Sequence, residues 1–178
     1  GMLKPGNSPG HLATTSTVTM NAGSTYQQDI AGKVQASASS PPGASGYYAY
    51  LTVTGGQFVI NSGATLAPRL QNLFATSEPG YGSAPYVPVI GDRFRIITAD
   101  GGISGKFSAI TQPAGLASGT TFVSFYNQDG SNSLDLAVVP TAYGPASGGN
   151  TNAQSMGAAI DKIVLANQAG NSTSAQDQ

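Results

Sequence analysis

Two stretches carry the reading of the fold. The first is Thr17-Val18-Thr19-Met20-Asn21-Ala22-Gly23-Ser24-Thr25-Tyr26-Gln27-Gln28-Asp29-Ile30. The second is Gln57-Phe58-Val59-Ile60-Asn61-Ser62-Gly63-Ala64-Thr65-Leu66-Ala67-Pro68-Arg69-Leu70. They align without a gap: Asn21 meets Asn61, Gly23 meets Gly63 and Thr25 meets Thr65. Val18, Met20, Tyr26 and Ile30 meet Phe58, Ile60, Leu66 and Leu70. Each copy reads as strand, corner, strand. Apolar and polar residues alternate with the period of a half-buried strand. Asn-Ala-Gly and Asn-Ser-Gly supply residues that tolerate positive φ at the corner. Pro68 suits an edge, a bulge or a strand end better than a central position.

A unit of this kind has no means of burying its apolar face alone. Copies stacked at the strand spacing of roughly 4.8 Å would bury a continuous column. Taking roughly 20 residues per coil, the separation of the copies corresponds to two coils. The expected fold class is therefore all-β: a right-handed parallel β-helix of a few coils, with a hairpin-containing C-terminal cap and a short C-terminal α-helix. Residues 1–139 are expected to form the β-helical stem, and about 90–139 its cap. Residues 140–178 read as linker, amphipathic helix and disordered tail.

Outward from the repeat, 35–46 reads as a projecting Ser/Pro/Gly loop and 78–88 as an irregular Tyr/Pro/Gly crossing. Arg93-Phe94-Arg95-Ile96-Ile97-Thr98 alternates, with Phe94 and Ile96 inward and both arginines outward. Residues 121–126 and 134–138 flank a polar turn and predict a hairpin with Asp129-Gly130 at its tip. The pattern buries Val18, Met20, Phe58, Ile60, Phe94, Ile96, Leu134 and Leu136. It leaves Arg93, Arg95 and Asp135 outside. Asn152 reads as the cap of a helix over about 153–168, ended by Gly170, with Met156, Ile160, Ile163, Val164 and Asn167 on one face.

Composition narrows the function classes. Only 8% of the 178 residues are charged and the net charge is −1, against roughly 25% charged in an average soluble protein. The seven Lys and Arg are scattered, so no basic stripe is available for a phosphate backbone, and nucleic acid is not an expected partner. The 24 Gly and absence of Cys exclude disulfides, thiolate metal sites and thiol catalysis. No apolar run reaches the roughly 20 residues of a spanning helix. Gly1-Met2 reads as the remnant of tag cleavage on an internal fragment.

Each candidate for chemistry has a plainer reading. Gly6-Asn7-Ser8-Pro9-Gly10 matches the G-x-S-x-G pattern of serine hydrolases but lacks the strand-to-helix context of that elbow. A turn fits better. His11 is the single histidine, which removes most zinc and copper sites, and a solvent-exposed strand position suits it. The acidic residues are dispersed; Asp92, Asp100 and Asp129 sit at glycines or turns, where Asp normally bonds the backbone. Asn171-Ser172-Thr173 matches the glycosylation sequon by accident. Tyr47, Tyr48 and Tyr50, with Tyr81 and Tyr86, are the best binding candidates, for sugars or for a protein surface. Covering a sheet face is their plainer role. No catalytic, cofactor-binding or metal-ligating residue is singled out, and no cofactor is expected.

The ordered set of motifs resembles the C-terminal end of an autotransporter passenger. The run 5–10 followed by the Asn21-to-Thr25 corner resembles the passenger repeat. Gly91-Asp92-Arg93-Phe94 through Ile97-Thr98-Ala99, then Gly105-Lys106-Phe107, resembles the autochaperone segment, closed by Leu134-Asp135-Leu136-Ala137-Val138. Thr151-Asn152-Ala153-Gln154 with Ala158-Ala159-Ile160-Asp161 is similar to the linker helix before the membrane β-barrel, which is absent from this sequence. The resemblance implies a non-enzymatic, membrane-proximal stem of a secreted or surface-displayed bacterial passenger, of virulence-factor or adhesin type. It implies folding assistance to that passenger, with its upstream coils and the outer-membrane barrel as partners and the cell exterior as location. A carbohydrate- or receptor-binding adhesin module is one alternative, with host glycans or receptors as partners. A polysaccharide-processing β-helix enzyme is another.

Overall fold

The computed structural model describes residues 1–7, 9–41, 45–70, 77, 86–143 and 151–168. In chain order its strands are β1 (Met2–Leu3), β2 (His11–Thr14), β3 (Val18–Met20), β4 (Thr25–Ile30), β5 (Val34–Gln35), β6 (Tyr47–Tyr48) and β7 (Tyr50–Val53). There follow β8 (Phe58–Ile60), β9 (Thr65–Leu70), β10 (Arg93–Ala99), β11 (Ile103–Ser104), β12 (Ala109–Ile110), β13 (Thr120–Tyr126) and β14 (Ser133–Pro140). Among the described residues one α-helix, α1, spans Thr151–Gln168, and a 3-10 turn spans Gln128–Gly130.

The repeat seen in the sequence is a physical pairing. Val18–Met20 lies parallel on Phe58–Ile60, and Thr25–Ile30 parallel on Thr65–Leu70, residue for residue without a slip. Equivalent side chains therefore touch. Asn61 Nδ2 donates to Asn21 Oδ1 at 3.0 Å, and the hydroxyls of Thr25 and Thr65 lie 3.2 Å apart. A third layer has no counterpart in the gapless alignment: β10 lies parallel on β7, β11 on β8 and β12 on β9.

The sheets as wholes correct the expected architecture. Instead of a right-handed parallel β-helix, the protein is mostly β with mixed sheets and one helix. A six-stranded sheet (β12-β9-β4-β6-β5, with β1 also on β4) contains the antiparallel pair β4–β6. A five-stranded sheet (β13-β14-β10-β7-β2) contains the antiparallel pairs β10–β14 and β13–β14. Only the three-stranded sheet, β11-β8-β3, is parallel throughout. The reason is connection length. Parallel neighbours need long crossovers, whereas the short turn after Tyr126 returns the chain directly as an antiparallel neighbour.

One core joins the three sheets: Tyr26, Ile30, Leu51, Phe58, Leu66 and Phe94 are among its fully buried members. Of the eight residues expected inside, Val18 alone is half-buried, because β3 is the terminal strand of its sheet and has no layer beyond it. Arg93 is exposed and Arg95 half-buried, but Asp135 is 2% exposed, not outside. Its alternation with Leu134 and Leu136 is as expected, yet the face it points to is covered by the arginines across the strand. A register shift between Arg95 and Ile97 explains another departure. It is a β-bulge that lets Ile96 and Ile97 both turn inward.

Two local rules are worked out by the backbone. Thr65 N–H donates to Ser24 O, while Leu66 O accepts from Thr111 N–H. Alternation then points the nitrogen of Pro68 away from β4, so its missing N–H removes no bond from the β4–β9 ladder. Gly105 has φ +75°, and a Cβ there would lie 2.0 Å from Ile60 O, so only glycine fits this corner.

The helix begins at Thr151, which places Asn152 inside it and not at its cap. Gly157 is buried and Ala153 and Asp161 are half-buried, whereas Met156 and Ile160 are exposed. Gly157 thus turns toward the body, where the helix touches β13, with Ile163 half-buried, while Met156 and Ile160 face out. Residues 42–44 of the expected loop, 78–85 of the expected crossing, Gly170 and the tail lie outside the described residues.

Candidate functional site

The aromatic residues that stood out in the sequence do not form an open platform. Tyr48 is buried edge-on against Phe94 at 5.2 Å, and Tyr86 packs on the same ring at 6.4 Å. Tyr50 stacks on His11 at 5.4 Å and its hydroxyl meets Thr98 Oγ1 at 2.5 Å. Tyr47 is half-buried in β6, and Tyr81 lies outside the described residues. His11 is half-buried, not solvent-exposed, with Nε2 2.9 Å from Thr52 Oγ1. Ser8 of the G-x-S-x-G match and Asn171 of the sequon lie outside the described residues.

The carboxylates are committed to structure. Asp135 takes Arg93 Nε at 2.6 Å and Arg95 Nε at 3.1 Å, and that bond holds the Arg95 guanidinium above its ordinary pKa. Asp29, fully buried, takes Arg69 Nε at 2.9 Å, Gln27 Nε2 at 3.0 Å and Lys4 Nζ at 3.6 Å. Asp100 accepts Gly55 N–H, and Asp161 accepts Tyr143 N–H. Asp92 accepts from Lys33 Nζ at 2.6 Å, Tyr86 Oη at 2.5 Å and Val89 N–H at 3.0 Å. Burial alone would raise the Asp92 pKa, but these three donors together hold it below the ordinary value. The stabilisation from Asp92 is therefore present at neutral pH and lost as pH falls through that lowered value. The same carboxylate, together with burial, pushes the Tyr86 hydroxyl up, burial being the larger cause.

No group of three or more His, Cys, Asp or Glu capable of holding a metal occurs among the described residues. No described helix is long and apolar enough to cross a membrane, which does not bear on strands. A cavity of about 140 Å³ lies between β12 and β13, lined by Phe107, Ser108, Gln112, Phe122 and Ser124. Its polar groups are occupied internally. Ser108 Oγ accepts Gly63 N–H at 2.7 Å, and the Gln112 amide is bonded to Phe122 on both sides.

That last contact is the more informative geometry. Gln112 Nε2 donates to Phe122 O at 2.9 Å while its Oε1 accepts Phe122 N–H at 2.8 Å. A side-chain amide thus stands where the next strand would pair, on β13, the terminal strand of its sheet. Asn127 does the same more simply at β11, donating Nδ2 to Ile103 O at 3.1 Å. Asn132 donates to Asp100 O and accepts Ala99 N–H through its own carbonyl. The edge groups of Phe122 on β13 and Ile103 on β11 are thus closed by side-chain amides. At the other end, β2 and β3 are terminal strands without charge or proline.

Sequence reasoning missed these amides and both buried aspartates. Asp29 was findable, since the gapless alignment sets it opposite Arg69 and parallel stacking brings aligned residues together. Gln112 carried no such signal. No protein-family model matches the chain, and neither a curated protein nor a solved structure matches it.

Proposed function

We propose that the chain is a structural, non-enzymatic segment: the membrane-proximal stem of a bacterial autotransporter passenger, and a folding aid to the rest of it. The observation that carries this reading is the contrast between the ends of the stack. Repeat copies pair in parallel register over β4 and β9. One end is closed by the β13–β14 hairpin and by side-chain amides, while at the other, among the described residues, β2 and β3 end their sheets and only the two-residue β1 lies on β4. A stack of this kind grows in one direction. Each added layer pairs with a ladder that already exists, so it meets only its own ordering entropy. The partners on this reading are preceding repeats of the same passenger and a C-terminal membrane barrel, and the location is the cell exterior. The packed tyrosines and the committed carboxylates favour this reading over an adhesin platform or a polysaccharide-processing site.

The test is kinetic. If the closed end is the template, Leu136→Ala slows refolding of the entire chain, whereas Met20→Ala mainly speeds unfolding. Stopped-flow refolding of the two variants distinguishes these. Slower refolding from Met20→Ala than from Leu136→Ala would overturn the reading.

A further inference from the structure

We propose that Arg93 and Arg95 form a binding site for a tetrahedral oxyanion of the phosphate-monoester type, on the outer face of the sheet that contains β10. The two side chains stand two residues apart on one strand and so share a face. Both reach the same buried carboxylate. Arg95 spans Asp135, with Nε 3.1 Å from Oδ1 and Nη2 3.5 Å from Oδ2, and Arg93 adds its Nε to Oδ2 at 2.6 Å. Clasping one carboxylate holds the guanidiniums side by side. Arg93 also lies over the Phe125 ring, 6.0 Å from its centroid, which limits its freedom further. These contacts use mainly the Nε side of each group. Neither Nη atom of Arg93 nor Nη1 of Arg95 has a hydrogen-bond partner among the described residues. The two side chains are 44% and 42% exposed, so those nitrogens are open to a ligand.

Charge and geometry select the ligand. One side-on arginine is enough to pair a carboxylate. At Asp135 a second guanidinium is added, so two positive charges face one negative and one is left over. At Asp29 the second cation is Lys4 at 3.6 Å, beside an Arg69 that takes both oxygens, and a lysine offers no planar fork. A guanidinium engaged through Nε keeps its outer Nη edge, a fork of N–H donors that matches oxyanions. Two such edges side by side offer more donors than the two oxygens of a carboxylate use. A phosphate monoester presents three terminal oxygens and so accepts from both guanidiniums at once. Its second negative charge draws it to a cationic site more strongly than the single charge of a sulfate ester. The ester belongs either to a free small molecule or to a lipid headgroup, and its recognition by the arginines is the same. The inference goes beyond the stem reading and does not rest on it: a chain that ignores phosphate leaves that reading standing.

Because Asp135 is buried, the test keeps the positive charges and removes only the forks. Arg93→Lys with Arg95→Lys still neutralises the carboxylate but offers point charges in place of planar edges. The parent chain is titrated with inorganic phosphate, at constant ionic strength set by chloride, so that screening does not change. Nitrogen-resolved NMR should show saturable shifts of the Arg93 and Arg95 Nε–H signals. The Arg69 signal, beside another buried carboxylate, should stay in place. The double lysine variant should bind phosphate about tenfold more weakly, with an unchanged circular dichroism spectrum. Two further arms separate the sources. Saturable shifts with glycerol phosphate, without flotation on phosphatidylcholine vesicles carrying phosphatidic acid, support a free ester. Flotation that the double lysine variant loses supports a headgroup. Shifts that do not saturate overturn the proposal, as do equal shifts at Arg69 or a folded double variant that binds like the parent. If the double variant does not fold, Arg93→Lys alone decides: weaker binding supports the paired site, and unchanged binding overturns it.

Discussion

Phe94→Ala is expected to lower the unfolding free energy by about 3–5 kcal/mol. The ring is fully buried near the start of β10, where Phe94 pairs across to Leu136 of β14. Tyr48, Tyr86 and Phe122 pack on it at 5.2, 6.4 and 6.3 Å, each close to edge-on. Truncation removes those three contacts at once. Tyr48 and Phe94 lie on different sheets, so the cavity has no single element that can move to fill it. Urea titration should show a lower midpoint with an unchanged slope, since the surface exposed on unfolding hardly changes. Phe94→Leu, which keeps more of the volume, should cost distinctly less. Equal losses from the two variants would mean that the aromatic cluster is not closely packed.

Arg93→Met with Arg95→Met is expected to cost about 3 kcal/mol, the lower end of what breaking a buried ion pair costs. Asp135 is 3% exposed at its side chain while the arginines are 44% and 42% exposed. The double substitution therefore strands a buried carboxylate, and the methionines keep most of the covering hydrocarbon. Adding Asp135→Leu should restore most of the loss, because a strand centre flanked by Met and Leu has no charge left to solvate. Thermal melts of the double and triple variants at one pH check this. If the triple variant is no more stable than the double, the arginines matter through packing alone.

What could be read in the sequence, and what could not, follows from where the determining forces act. The 14-residue repeat was legible because equivalent residues pair directly, and strand alternation placed Met20, Phe58, Ile60, Phe94, Ile96, Leu134 and Leu136 inside. The third layer was hidden, since β10, β11 and β12 pair with the second copy without sharing its Asn-x-Gly corner. Asp135 was misplaced because alternation says which face a residue takes, not whether something covers that face. The mixed sheets were missed for a related reason: a repeat records the parallel layers and is silent about strands that join from insertions or the hairpin. On α1, periodicity gathered Met156 and Ile160 on one face, but the small side at Gly157 is the buried one.

The functional proposal rests on an end-to-end difference in the stack, so the most direct measurement is native-state hydrogen exchange resolved along the chain. Local opening starts where the fewest strand neighbours and buried contacts hold the chain. Amides in β10, β13 and β14 should exchange slowest, those in β4 and β9 should be intermediate, and those in β2 and β3 fastest. Slowest exchange within residues 11–30 would contradict the account, because the bare edge, and not the hairpin end, would then be the part that holds the fold together.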